Sequence, residues 1–370
     1  MKQHGRSKRV WRRWWFWPIV LVAAVVGGGW ITYLRIWPPY DMFNAAVAGD
    51  VERLEFLLDR GADINARGYS YRFKMGAGAP PISFAAAKGG LETVEFLLAR
   101  GADPTIQDQI GWTCLHYAGL GGEAAVVDRL ASIPGLVAQS DQSPGGSPLT
   151  LPARFGHADA VAVLVAAGAS VRPKGEQQLL VNAAEGRSQA TFMLLLEAGA
   201  DAHARRHDGT TPLMVAASHG WRQIVKELLA RDVLVIGVDS RGRSALTRAL
   251  LGTADAEIIR LLLGAGAQAD LASYDGTPLI ILAVQSGRDD VVAAMLEALP
   301  RSAVDDRRGR DRATALHVAA AEGGAAMVEL LIEAGADPSK RRADGLDARQ
   351  IAARRSEREA EGIRRLLAEL

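Results

Sequence analysis

Seven histidines and one cysteine, Cys114, are the side chains with the most chemistry to offer in these 370 residues. One group has ligand-like spacing. His203 and His207 stand with Asp201 and Asp208 in "GADAHARRHDG", and two imidazoles with two carboxylates could hold a divalent cation. No Cys or Glu completes that set, so the stretch reads better as a polar, solvated turn. A lone cysteine excludes an intramolecular disulfide and argues against a thiolate zinc site. The chain has no Gly-x-Ser-x-Gly elbow, no phosphate-cradling glycine loop and no His-Glu-x-x-His helix. The expectation is a protein with no catalytic residue, no metal and no cofactor. The chemistry that remains is recognition.

The strongest recognition signal is "GYSYRFK", residues 68 to 74, where Tyr69, Tyr71 and Phe73 alternate with Ser70, Arg72 and Lys74 in what should be a short polar turn. Rings and cations together suit a bilayer interface, where rings lie at headgroup depth and cations meet phosphates. They suit a protein hot spot equally well. The structural alternative is that the rings fold back over an exposed end of the core.

Charge separates the chain into two parts. Residues 1 to 37 hold seven Lys or Arg and no acid, while the rest carries 36 basic and 42 acidic residues. That balance offers no nucleic-acid surface. From Trp14 to Leu34 there are 21 residues without a charge, enough helix to cross a bilayer core of roughly 30 Å. Lys2, Arg6, Lys8, Arg9, Arg12 and Arg13 precede it, only Arg35 follows closely, and tryptophans and tyrosines gather at both ends. The expected division is a basic N-terminus at 1–13 in the cytoplasm, a transmembrane signal-anchor helix at 14–36 and a domain at 40–370 outside the cytoplasm. Cleavage near Gly27 and Gly29 would instead release a soluble periplasmic or secreted protein.

The remainder is repetitive. "GADIN" at 61 returns as "GADPT" at 101, "GASVR" at 168, "GADAH" at 199, "GAQAD" at 266 and "GADPS" at 335, close to one or two units of 33. A second phrase keeps the same beat, from "TCLHYAGLGG" at Thr113 to "TPLMVAASHG" at Thr211 and "TALHVAAAEGG" at Thr314. Each unit is a helix pair. A Ser or Thr hydroxyl caps the first helix, a proline takes its first position, and a glycine ends each helix. Neither helix can cover its apolar face alone, so the units must stack.

These phrases resemble the ankyrin repeat over about residues 40 to 370, some nine repeats plus a C-terminal cap. The resemblance implies an all-α solenoid with β-hairpin fingers, non-enzymatic, binding a protein partner through a concave face and no small-molecule substrate. It gives Thr113 with His116, and Thr314 with His317, a structural role at helix starts. By the same analogy Lys88, Arg154, Phe155, Glu185, His219 and Glu322, placed before the terminating glycines, face the groove. A bacterial inner membrane with the repeats in the periplasm is the expected location. The rival reading is an enzyme hidden in the degenerate middle units.

Those units depart from the pattern in four places. Pro152 should bend or shorten its helix at a cost of about 3 kcal/mol. The unit near Glu176 lacks a Thr-Pro start, the one near Thr277 has a residue too many before its glycine, and Thr253 stands where the one near Ser244 should have a glycine. Local stability is therefore expected to sag from Pro152 to Gly186. The finger cations, Arg205, Arg206, Arg241, Arg243, Arg307, Arg308, Arg310, Lys340, Arg341 and Arg342, form either a stripe for an acidic partner or simply solvated tips.

Overall fold

The computed structural model describes residues 38–70, 75–88, 90–172, 178–309, 311–355 and 359–368. The expected membrane segment at 14–36 lies outside these residues, as do Tyr71, Arg72 and Phe73. Among the described residues no helix is long and apolar enough to cross a membrane.

Short helices alternate in two rows. The inner row is α1 (Pro38–Ala48), α3 (Pro81–Ala87), α5 (Cys114–Gly121), α8 (Thr150–Phe155), α10 (Leu179–Glu185), α12 (Pro212–Ser218), α14 (Ala245–Leu251), α16 (Leu279–Gln285), α18 (Ala315–Glu322) and α20 (Ala348–Ala353). The outer row is α2 (Val51–Asp59), α4 (Leu91–Ala99), α6 (Ala124–Ala131), α9 (Ala158–Ala166), α11 (Gln189–Glu197), α13 (Arg222–Leu229), α15 (Ala256–Gly264), α17 (Asp289–Ala298), α19 (Ala325–Glu333) and α21 (Glu359–Ala368). One extra helix, α7 (Leu136–Asp141), sits inside a connection. Each inner helix packs on the next inner helix as well as on its own outer partner. A helix of six to eight residues is too short to hold itself, so stacking supplies the stability. The inner helices can lie close because their buried faces are mostly alanine and leucine, as in Ala85, Ala86, Leu213, Ala216 and Ala217.

The fingers connect each outer helix to the next inner one, and neighbouring fingers are joined edge to edge. Gln109 donates its N–H to the Ala77 carbonyl at 3.0 Å, Ser240 to Asp208 at 2.7 Å and Ala343 to Asp311 at 2.8 Å. The first finger is the one two-stranded hairpin among the described residues, β1 (Gly68–Ser70) antiparallel to β2 (Met75–Ala79) with a register shift between Gly68 and Ser70. It folds over the start of the solenoid so tightly that a Cβ on Gly68 would lie 2.0 Å from the Phe43 ring.

The helix starts behave as the sequence requires. The Thr113 and Thr314 N–H groups each donate to the Nδ1 of His116 or His317 at 3.1 Å, closing capping boxes. With Nδ1 accepting, the His116 proton sits on Nε2, which reaches the Gly146 carbonyl of the next unit at 3.0 Å.

Three of the expected departures are absorbed. Pro152 is the third residue of α8, which is short at six residues. Its missing N–H falls in the first turn, where no helical acceptor exists, so the interior cost does not arise. Its ring also fills the space over Gly119 of α5, where a Cβ would meet Pro152 Cδ at 2.8 Å. Thr253 is no lost glycine, because Gly252 ends α14 one residue earlier. The unit near Glu176 does start without a side-chain cap, at Gln178 before α10, and the extra residue near Thr277 is taken up at the start of α16, which has Pro278 as its cap and keeps seven residues. The basis for a stability sag is narrower than the sequence suggests.

Strain lies at other turns, where Arg187, Asp232 and Arg312 are the non-glycine residues at positive φ among the described residues. Where other units end the outer helix with a glycine, such as Gly199 at φ +91°, the unit after α13 has Asp232 at φ +54°. Asp232→Gly is expected to raise unfolding free energy by about 0.5–1 kcal/mol, read as a higher urea midpoint.

Candidate functional site

Apart from α20, whose cap is Arg354, the inner helices run from the finger edge to a glycine turn, so their last residues form one row. Lys88 follows α3, Arg154 and Phe155 end α8, Glu185 ends α10, His219 follows α12 and Glu322 ends α18. Lys88, Arg154, Phe155, Glu185 and Glu322 are exposed, and His219 is half-buried. Adjacent members touch through backbone. The Thr253 N–H bonds the Ser218 carbonyl at 3.0 Å, and a Cβ on Gly186 would lie 2.6 Å from the Arg154 carbonyl.

The row is less uniform than its sequence positions imply. Glu185 is ion-paired with Arg206 of the following finger, so it supports that finger as well as facing outward. His219 is held by its own helix, Nδ1 lying 2.9 Å from the Val215 carbonyl with the ring packed on Trp221 at 5.1 Å. Phe155 keeps 54% of its surface exposed and lies beside His157 at 6.2 Å. Sequence reasoning missed Leu251, the last residue of α14, which is 60% exposed in the same row. Its signal was present as a leucine directly before Gly252.

Tyr69 lies on β1. Tyr71, Arg72 and Phe73 are outside the described residues, so the aromatic finger is located only by its two strands.

The finger cations are largely engaged within the fold. Arg206 makes a two-pronged pair with Asp208 at 2.9 and 3.2 Å. Arg342 pairs with Asp344, Arg308 with Asp311, and Lys340 with Asp305 at 3.1 Å. The Arg206 guanidinium holds the Asp208 carboxyl well below the usual carboxylate range, and Arg308 holds Asp311 at about 2. Arg205 donates to the Val238 carbonyl at 2.7 Å. Arg241 and Arg341 remain exposed. An acidic partner would therefore find isolated cations, not a continuous stripe. The metal-like quartet is also engaged locally, Asp201 accepting the His203 N–H at 2.9 Å and Asp208 occupied by Arg206.

Behind the row, two units tie the inner helix to its finger in the same way with different chemistry. The Tyr117 hydroxyl on α5 donates to Asp108 at 2.6 Å. At the matching position of α14, Arg248 donates to Asp239 at 2.6 Å and to Thr210 Oγ1 at 2.9 Å. Arg243 adds a second pair to Asp239 at 2.9 Å, and the Arg241 and Arg243 N–H groups close the turn. Burial pushes the Asp239 pKa up, but the Arg243 N–H and the Arg248 and Arg243 side chains outweigh it and hold the group at about 2.

A family model described as ankyrin repeats (3 copies) matches residues 82–174, 179–272 and 252–342, more than half of the chain. Neurogenic locus notch homolog protein 1 of Homo sapiens is 32% identical over 163 residues, covering 43% of this chain and 6% of that protein. A putative ankyrin repeat-containing protein of Treponema pallidum (strain Nichols) is 38% identical over 102 residues, covering 27% of this chain and 33% of that protein. Both alignments thus span a minor part of the relative's length.

Proposed function

Since the chain belongs to the ankyrin-repeat family, a family of protein-interaction scaffolds, we propose that it is a non-enzymatic scaffold that grips a protein partner along the row of inner-helix ends. The observation that carries this reading is the two apolar side chains in that row, Phe155 and Leu251, left 54% and 60% exposed in a row that also carries Arg154, Glu185 and Glu322. An apolar anchor ringed by polar groups is the usual composition of a binding hot spot. Arg154 and Lys88 on one flank and Glu322 on the other give a partner an orientation.

We place this scaffold at a membrane. The support is the uncharged run from Trp14 to Leu34 with six cations before it, which favours a cytoplasmic N-terminus and a repeat domain on the other side, periplasmic in a bacterium.

One preparation tests both halves. Affinity capture on full-length protein carrying Phe155→Ala and Leu251→Ala should lose its partner by about tenfold or more, the typical loss when two anchors of roughly 1 kcal/mol each are removed, with unchanged circular dichroism. Undiminished capture would move the binding surface elsewhere. The same chain should resist carbonate extraction, and full extraction would remove the tether.

A further inference from the structure

Among the described residues nine large hydrophobic side chains are exposed, and five of them, Leu234, Ile236, Val238, Leu271 and Tyr274, lie on two consecutive fingers. In the first of these fingers exposure alternates. Leu234, Ile236 and Val238 are 57%, 60% and 45% exposed, while Val233 and Val235 between them are buried at 7% and 9%. Elsewhere the matching stretch is polar. Asp103 accepts the Thr105 N–H at 2.8 Å and Asp337 that of Ser339 at 2.8 Å, whereas Leu234 takes that aspartate's position. The second finger continues the patch, for Tyr274 sits against Gly242 of the first, where an added Cβ would lie 3.4 Å from Tyr274 Cβ. The exposed cations Arg205 and Arg241 flank the row.

What could cover this patch is decided by where the chain enters the solenoid. Fingers run into the N-terminal ends of inner helices, as at Thr113, Thr211 and Thr314. Helix α1 is the first of that row and packs on α3, so Pro38 also lies at the finger edge, with the first finger folded across it at Phe43. Leu34, the end of the uncharged run, is four residues earlier. A bilayer holding that run would meet the solenoid along its finger edge. We propose that the fingers carrying Leu234, Ile236, Val238 and Tyr274 form a second bilayer contact, their side chains entering the headgroup region while Arg205 and Arg241 meet lipid phosphates. The proposal rests on the tether proposed above. Three aliphatic side chains bind a membrane weakly from solution, but a tether makes the contact intramolecular and raises its effective concentration to roughly millimolar.

Full-length Ile236→Cys can be labelled with an environment-sensitive nitrobenzoxadiazole dye, because the one native thiol, Cys114, is buried and its pKa is pushed up by that burial. A second variant, Glu197→Cys on α11, labels the exposed outer row. Both are reconstituted into phosphatidylcholine and phosphatidylglycerol vesicles with doxyl lipid as quencher. The expected result is a blue-shifted dye at 236, quenched at least about twofold more than the dye at 197. Equal weak quenching at both sites in chains that resist carbonate extraction overturns the second contact and leaves the tether standing. Equal weak quenching in chains that extract fully removes tether and contact together. Strong quenching at both sites, or shielding of 236 only when a partner protein is added, also overturns the proposal.

Discussion

Asp239→Ala should cost the protein about 3 to 5 kcal/mol of stability, the usual penalty for stripping one partner from a buried ion pair. The side chain of Asp239 is 1% exposed and that of Arg248 is 15% exposed, so the mutation leaves a guanidinium under the finger with only Thr210 to accept its proton. The matching change in the other unit, Asp108→Ala, removes the acceptor of a neutral Tyr117 hydroxyl and should cost less, about 1–3 kcal/mol. Replacing both partners, as in Asp239→Leu with Arg248→Met, should recover much of the loss because no charge is then stranded. Urea unfolding of the three variants ranks these effects, and a double mutant no more stable than Asp239→Ala would show that packing, not charge, sets the cost. The pair also predicts a pH dependence. Because Asp239 is held at about 2 in the folded state, below its ordinary value near 4, it adds stability that is fully present above about pH 4 and is lost as pH falls toward 2. Asp239→Asn should flatten the stability curve across that window and leave it unchanged at neutral pH in shape.

How much of this was legible in the sequence depends on how far apart the partners lie. Thr113 and His116 bond within one helical turn, so their types and spacing suffice to read the capping box, and with it the phase of every unit. The arginine–aspartate pairs of the fingers were legible in principle, since Arg206 and Asp208, or Arg342 and Asp344, are two residues apart. A stripe for an acidic partner and solvated tips are the two readings that a count of cations allows, and only the carboxylate within reach of each cation shows that most are paired inside the fold. The short helix around Pro152 is legible, and only its cost is not. That cost depends on where α8 begins, at Thr150, and on the Pro152 ring lying over Gly119 of the previous unit, which no local pattern records. The link from Arg248 to Asp239 is less visible still, because it matters only once Tyr117 and Asp108 are seen to occupy the same two positions. Leu251 stands directly before Gly252, but a leucine there reads as core, and only the fold leaves it 60% exposed.

Gly252 and Gly264 carry the sharpest contrast that the sequence cannot supply. Both end helices of the same unit, and neither requires the left-handed backbone. A Cβ on Gly252 would stand 2.1 Å from the Ser218 carbonyl oxygen and 2.8 Å from its carbon, while a Cβ on Gly264 would meet nothing within 4 Å. The obstacle at Gly252 is backbone, which cannot rotate away, and the same carbonyl accepts the Thr253 N–H at 3.0 Å. Gly252→Ala must therefore pry α12 and α14 apart, and the expected cost is about 3 kcal/mol, the upper end for overpacking. Gly264→Ala should instead stabilise by about 0.5–1 kcal/mol, by restricting the unfolded chain and favouring the helix. Since each unit touches only its neighbours, hydrogen exchange in Gly252→Ala should rise from α12 through α15 and stay at its original level in α3 to α6. Equal and small effects from the two substitutions would mean that the inner helices do not approach so closely, and with them the shared row that carries Phe155 on α8 and Leu251 on α14 would lose its geometric basis.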